Sequence, residues 1–350
     1  MKSIDKPKQF AHDLCEWYRE NKRDLPFRKS RDPYRIFLSE LMLQQTQIST
    51  MLPYYERFIG RFPDVKSLAD ASLDEVLKYW EGLGYYSRAR YIHESAQMIV
   101  REFDGQFPRE LKTIESLKGV GRYTARAIHS IAYDEPSVAV DGNVMRVMSR
   151  VLLFDGEIKQ TKNMRHIESI LDNVIVHERP SDFTQALMEL GALVCKKRPD
   201  CEVCPLKDKC FAYKLDKQDA YPVVSKAKPK TEHHYHVFVV RHQNRYLLRR
   251  RPSHGLLANM HEFPQYESSY ETALETLQNE FSLSIAAVHS LGTQKHVFSH
   301  KVWTMQAYEV VLKRPVDGLV NLENYPNAMS KAHHKIIEKI KEKGLPPWNH

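Results

Sequence analysis

Four of the five cysteines, Cys195, Cys201, Cys204 and Cys210, fall within sixteen residues at C-x5-C-x2-C-x5-C spacing. Four soft thiolates so placed serve one centre, either an iron–sulfur cluster or a tetrahedral zinc ion, and the spacing alone does not choose between them. Lys196, Lys197, Arg198, Lys207 and Lys209 make the segment too charged for an unligated core, and they offer positive charge to phosphates. The fifth cysteine, Cys15, beside Leu14 and Trp17, reads as packing.

Two carboxylates come next. If the run from Ile36 onward is helical, Phe37, Leu41, Ile48 and Leu52 share one face and Glu40, Gln44 and Gln47 another. The apolar neighbours of Glu40 predict burial, which disfavours the charged form of a carboxyl and suits a general acid. Asp141, between the apolar entry Ser137–Val140 and a helix that starts just after it, reads first as an N-cap. A carboxylate held by helix N-terminal amides is also one that stays ionised and can stabilise a cation. A neutral acid and a charged carboxylate are the pair that cleavage of a glycosidic bond through an oxocarbenium-like transition state requires. In LKGVGRYTA, Gly119 and Gly121 let backbone N–H groups approach an anion at a helix N-terminus. A plain helix–helix turn is the default reading of that string alone, but the adjoining TARAIHSIAY helix makes it resemble a helix-hairpin-helix element.

The elements that must carry these groups divide the chain. With 350 residues and 42% hydrophobic content, two cores are expected. Residues 5–215 follow a helical period, so 1–220 are expected to form an all-α domain, followed by a linker at 221–232. From 233 to 350 strand-like runs such as HVFVV, RYLLRR and VWTMQAYEVVL surround helical stretches near 269–281 and 328–343, giving an α+β domain. HHYH at 233–236 reads as the start of a strand. The net charge of +8 fits a polyanionic partner such as DNA. Neither a signal peptide nor an apolar run of membrane-spanning length is present, so a soluble, cytosolic protein is expected, nucleoid-associated if bacterial, and acting as a monomer.

Taken together, SELMLQQTQ, GLGYYSRAR, GVGRYTARAI, VDGNVMRV, FTQALMELGALVC and the cysteine run resemble the MutY family of adenine DNA glycosylases over nearly the whole chain. The resemblance implies a multidomain protein. Its first part would be an all-α helix-hairpin-helix glycosylase domain with a [4Fe–4S] loop, and its second a C-terminal α+β Nudix-like domain. The implied substrate is adenine opposite 8-oxoguanine in duplex DNA, flipped out of the helix for excision. Glu40 then resembles the acid that protonates the departing base, and Asp141 the carboxylate that stabilises or transiently bonds the sugar cation. Tyr123 and Asn143 resemble the residues that support that intermediate. Gln44 and Tyr85 look like residues that fill or wedge the stack, and Phe298, Ser299 and His300 match the loop that contacts 8-oxoguanine.

Tyr123 stands where the related glycosylase-lyases carry a Schiff-base lysine, which argues for base removal alone. The second half has no glutamate-rich Nudix helix, so pyrophosphatase activity is not expected. The chain departs from the family pattern in three places: the first cysteine spacing is one residue short, Phe27 replaces a tryptophan, and Lys118 replaces a hairpin proline. Two other readings compete, a pyrimidine-specific glycosylase-lyase of the same fold and a non-catalytic DNA-binding module that senses oxidation.

Overall fold

The computed structural model describes residues 1–225, 229–323 and 325–345. Chain contacts divide it into two compact units, Met1–Asp70 with Tyr91–Lys226, and Ala71–Arg90 with Ala227–His350.

The helices of the N-terminal half, in chain order, are α1 (Pro7–Asn21), α2 (Pro33–Leu43), α3 (Ile48–Arg61), α4 (Val65–Ala69), α5 (Leu73–Trp80), α6 (Ser87–Phe103), α7 (Leu111–Ser116), α8 (Arg122–Tyr133), α9 (Gly142–Leu152), α10 (Thr161–Asp172), α11 (Pro180–Leu193) and α12 (Phe211–Lys214). Local chemistry sets several of their starts. Asp32 caps α2 by accepting from the Tyr34 N–H, with Pro33 in the first turn. Asp141 caps α9 through the Val144 N–H. A core of Phe10, Leu14, Val144, Met148, Leu187 and Leu190 packs α1, α9 and α11 together, and Cys15 is buried in it as the sequence predicts.

The helical reading breaks at one informative place. α2 stops at Leu43 rather than running on through Gln47. Gln45 takes a left-handed φ of +56°, the Thr46 N–H bonds back to the Leu43 carbonyl, and a new helix begins at Ile48. The polar QQTQ segment is therefore a turn, and Ile48 and Leu52 do not continue the face of Phe37 and Leu41.

In the second unit the strands are β1 (Thr231–His242), β2 (Arg245–Leu247), β3 (Arg249–Arg250), β4 (His261–Glu262), β5 (Gln265–Tyr266), β6 (Ile285–Val297), β7 (Lys301–Leu312) and β8 (Leu319–Val320), with α13 (Tyr270–Phe281) and α14 (Lys331–Glu342). Among the described residues β1, β2 and β5 to β8 build a mixed sheet in the order β6-β7-β1-β2-β8, with β5 also on β1, while β3 and β4 pair separately. β1 and β7 run parallel while β6 and β7 are antiparallel. The alternating burial of β7 is the pattern that VWTMQAYEVVL predicts, and Phe238, Val240 and Val310 pack beneath Ala273 and Leu277 of α13.

Two expected boundaries move. Residues 71–90 group with the C-terminal half instead of with 1–220, because Arg250 bonds Asp74 at 2.9 Å and Arg90 donates to the Ala258 carbonyl at 3.2 Å. Of the linker expected at 221–232, Tyr221 and Val223 are still tied to the first unit through Asp155 and Ile158, and Thr231 and Glu232 are already in β1. Residues 226–228 of that linker lie outside the described residues.

Candidate active site

Glu40 lies on α2, whose neighbouring residues Ile36–Leu38, Leu41 and Met42 are all fully buried, and it is itself only 2% exposed. Arg28, from the short 3-10 turn Pro26–Arg28, donates to Glu40 Oε1 at 2.6 Å. The Tyr123 hydroxyl, in the first turn of α8, donates to Oε2 at 3.1 Å. The surroundings of Glu40 are thus not apolar alone, as its neighbours in sequence suggest, but include a guanidinium and a phenol. Arg28 is a site residue that sequence reading missed. Its only signal is a charge next to the buried Phe27, over whose ring it sits at 5.1 Å.

Asp141 Oδ1 accepts from the Val144 N–H at 2.7 Å, and Oδ2 accepts from Asn143 Nδ2 at 2.9 Å. Capping and site membership therefore coincide in one side chain. The expectation that these donors keep it firmly ionised needs correcting. Desolvation by burial outweighs them and raises the Asp141 carboxyl above the ordinary aspartate range, and negative charge on Glu40 adds to the rise whenever that carboxyl is ionised. Burial likewise pushes the Tyr123 hydroxyl well up, as do the Glu40 and Asp141 charges, so it remains a neutral donor.

Asn143 is held in turn. Arg146, one helical turn on, donates to Asn143 Oδ1 at 2.8 Å, to the Gly191 carbonyl at 2.7 Å and to the Cys195 carbonyl at 2.7 Å. Gly191 is needed for this packing, since a Cβ there would stand 2.7 Å from the Asn143 Cβ. Arg23 and Glu189 close another side through a two-bond pair at 2.9 and 2.6 Å, which the sequence does not announce.

Arg28, Glu40, Tyr123, Asp141, Asn143, Arg23 and Glu189 open on one cavity of about 1270 Å³. Its lining brings together Glu40, Tyr123, Asp141, Asn143, Gln44, Gly119 and Gly121, seven of the predicted site residues. The break after Leu43 is what turns Gln44 to Ile48 into it. Gln44 also reaches Thr124 Oγ1 at 3.2 Å. The hairpin reading of Leu117–Gly121 is realised between α7 and α8: Gly119 sits at φ +73° with Tyr91 so close that a Cβ would meet it at 2.7 Å, and Gly121 caps α8.

Cys195, Cys201, Cys204 and Cys210 line a cavity of their own with Arg150 and Leu206. Arg150 donates to Cys195 Sγ at 3.3 Å and to the carbonyls of Lys196 and Lys197 at 2.6 and 3.0 Å, lacing the shortened segment to α9.

The remaining predicted residues lie in the second unit. Phe298, Ser299 and His300 form the turn between β6 and β7. The ring of Phe298 packs on His296 and Trp303, with centroids at 4.5 and 4.8 Å, which makes it the anchor of the turn, while Ser299 and His300 are exposed at its tip. Tyr85, at φ +48° on the loop between α5 and α6, is also exposed, and its hydroxyl is hydrogen-bonded to that of Ser299.

Comparison with known proteins gives two family matches, the HhH-GPD superfamily base excision DNA repair protein over residues 38–173 and a NUDIX domain over 236–339. The adenine DNA glycosylase of Rattus norvegicus is 35% identical, covering 95% of this chain and 78% of its own. That of Buchnera aphidicola subsp. Acyrthosiphon pisum is 33% identical, covering 94% and 91%. Among solved structures, a thermostable thymine-DNA glycosylase superposes with a TM-score of 0.55 at 27% identity over 60% of this chain and 97% of that one. An endonuclease III–DNA covalent intermediate gives 0.52 at 23% identity over 62% and 99%, a likeness of fold.

Proposed function

We propose, from the premise that this chain belongs to the adenine DNA glycosylase family, that it removes adenine standing opposite 8-oxoguanine in duplex DNA, by hydrolysis and without cutting the strand. The observation that carries this reading is the meeting of Glu40 and Asp141 on one cavity with Tyr123 against them.

The chemistry follows from that arrangement. Glu40 gives its proton to a ring nitrogen of the flipped adenine, the glycosidic bond breaks with its electron pair leaving on the base, and positive charge develops at C1′. The carboxylate that results on Glu40 is met by donors already in place, Arg28 and Tyr123, so the charge appears where it is stabilised without rearrangement. Asp141 is desolvated as an anion, and a sugar cation facing it relieves that cost, which favours the transition state over the ground state. Water then adds to C1′ and returns a proton to Glu40. No lysine lines the cavity among the described residues, and position 123 is tyrosine, which supports hydrolysis over Schiff-base lyase chemistry.

The family resemblance favours a [4Fe–4S] cluster over zinc at the cysteine site, and the four thiols sharing one cavity support a common centre. Cys195, Cys201, Cys204 and Cys210 would be the ligands, and the bound cluster would cross-link the basic loop that meets phosphates.

Tyr85 as the wedge and Ser299 with His300 as the readers of the oxidised base complete the proposal. Among the described residues no helix is long and apolar enough to cross a membrane; action as a monomer on nucleoid or cytosolic DNA belongs to the same reading. The test is single-turnover adenine release from duplexes with adenine opposite 8-oxoguanine and opposite guanine, alongside borohydride trapping and iron, sulfide and zinc quantitation. Faster release opposite 8-oxoguanine, no trapped adduct and about four irons per chain are expected. Equal release on both duplexes, efficient trapping, or stoichiometric zinc would each overturn the corresponding part.

A further inference from the structure

Tyr85 and Ser299, 214 positions apart, share a hydrogen bond within one compact unit. Tyr85 is on a loop that starts at the end of α5, its carbonyl accepting from the Arg88 N–H at 2.9 Å, and Ser299 is at the exposed tip of a hairpin. What registers one loop to the other is found at Glu81, the residue that terminates α5.

Glu81 Oε1 accepts from the Met329 N–H at 2.8 Å, and His334 Nε2 lies 2.8 Å from the same oxygen. These two partners flank Ser330, the N-cap of α14, so the carboxylate sits at the positive end of that helix. Lys78 holds Oε2 at 2.7 Å. On the Tyr85 side, the chain is stiff from Glu81 onward: the Gly82 N–H bonds the Tyr86 hydroxyl at 3.0 Å, and Trp80 Nε1 bonds the Gly84 carbonyl at 2.9 Å.

On the other side α14 lies along the edge strand β6. Lys335 Nζ donates to the Lys295 carbonyl at 3.1 Å, Lys339 to those of Leu291 and Thr293 at 3.2 Å each, and Lys343 to that of Ser290 at 3.2 Å. Lysines one turn apart thus satisfy backbone acceptors that an edge strand would leave open. β6 then runs directly into Phe298 and Ser299. The path from wedge to reader is continuous: Tyr85 loop, Glu81, α14, β6, Ser299.

We propose that Glu81 is a positioning residue for lesion discrimination, fixing the Tyr85 loop on the N-terminus of α14 and, through α14 and β6, in register with the Ser299 turn. The inference rests on the reading of Ser299 and Tyr85 as the groups that meet 8-oxoguanine. Glu81 touches no reacting atom, so its loss acts on the choice of the opposite base and leaves the chemistry at Glu40 alone.

The test compares Glu81→Ala, Glu81→Gln and His334→Ala in the full, metal-replete chain. Two readouts are taken: single-turnover adenine release opposite 8-oxoguanine and opposite guanine, and affinity for the same two duplexes carrying a non-hydrolysable adenosine analogue. Glu81→Ala should lower the ratio of the two rates, and the ratio of affinities, by roughly tenfold, the worth of one charge-assisted hydrogen bond. Glu81→Gln keeps an acceptor for the Met329 N–H and should recover part of the ratio; His334→Ala, at a half-exposed histidine, should lower it less than Glu81→Ala. Ratios unchanged in folded variants, or equal losses opposite both bases, overturn the proposal. If Glu81→Ala does not fold, the other two variants decide on the same criterion. A wild-type chain with no preference for 8-oxoguanine would instead defeat the underlying reading of the turn, which separates the two failures.

Discussion

At the scale of single residues, the pairing of Glu40 with Arg28 and Tyr123 makes the acid assignment demanding. Glu40→Gln keeps the volume and most of the hydrogen bonding but has no proton to give, so adenine release should slow by roughly 10²–10⁴-fold in single-turnover assays while lesion binding persists. Release within tenfold of wild type would remove Glu40 from the role. Asp141 offers a pH signature. In the proposed role it acts as an anion, so the rate should fall as pH drops through its pKa, and burial places that limb above the ordinary aspartate range. Asn143 and Val144 donate to the carboxylate and hold the limb down; Asn143→Ala leaves burial less opposed and should move the acid limb to higher pH. A limb that stays put, or moves lower, would show that some other group controls it.

At the scale of elements, the site depends on where helices stop. α2 ends one turn after Glu40, α8 begins at Arg122 immediately before Tyr123, and α9 begins immediately after Asp141, so the three site residues are presented at or near helix ends facing one cavity. The hairpin before α8 carries the sharpest local constraint. Gly119 has a left-handed φ and lies against Tyr91, so Gly119→Ala adds both backbone strain and a contact that cannot be relieved by a flexible side-chain end. A loss of about 1–3 kcal/mol is expected from the backbone alone, readable as a lower melting temperature, together with weaker binding to undamaged duplex. An unchanged melting temperature would mean that the turn rearranges freely. Arg146 and Arg150 on α9 bond Cys195 and Lys196, which gives the short cysteine spacing a support that the loop's own length does not provide.

At the scale of the whole molecule, the first unit holds the carboxylates and the cysteines, and the second holds Tyr85 and the Ser299 turn to which the proposal gives lesion recognition. A direct consequence is that removing the Ser299 hydroxyl should act on selectivity. Ser299→Ala is expected to reduce the preference for 8-oxoguanine over guanine in the opposite strand, by several-fold for one neutral hydrogen bond. The check is the ratio of release rates on the two duplexes, and a ratio equal to wild type would take Ser299 out of recognition.

The sequence by itself determined what local chemistry can determine. Helical period, the N-cap at Asp141, the glycine hairpin, the alternation of β7 and the clustering of four cysteines are all short-range patterns, and each is present where its residues predict it. Tyr123 in place of a lysine is equally readable, because it is a choice of side chain at one position. The tertiary structure decided everything that depends on residues distant in the chain. It gave Glu40 its guanidinium partner and let burial outweigh the donors to Asp141. It broke α2 at Gln44, and it grouped Ala71–Arg90, helical and N-terminal by sequence, with the C-terminal half. The physical reason is common to these cases: burial and charge pairing are properties of surroundings, and periodicity reports only which face of an element is apolar, not which polar groups another element brings to it.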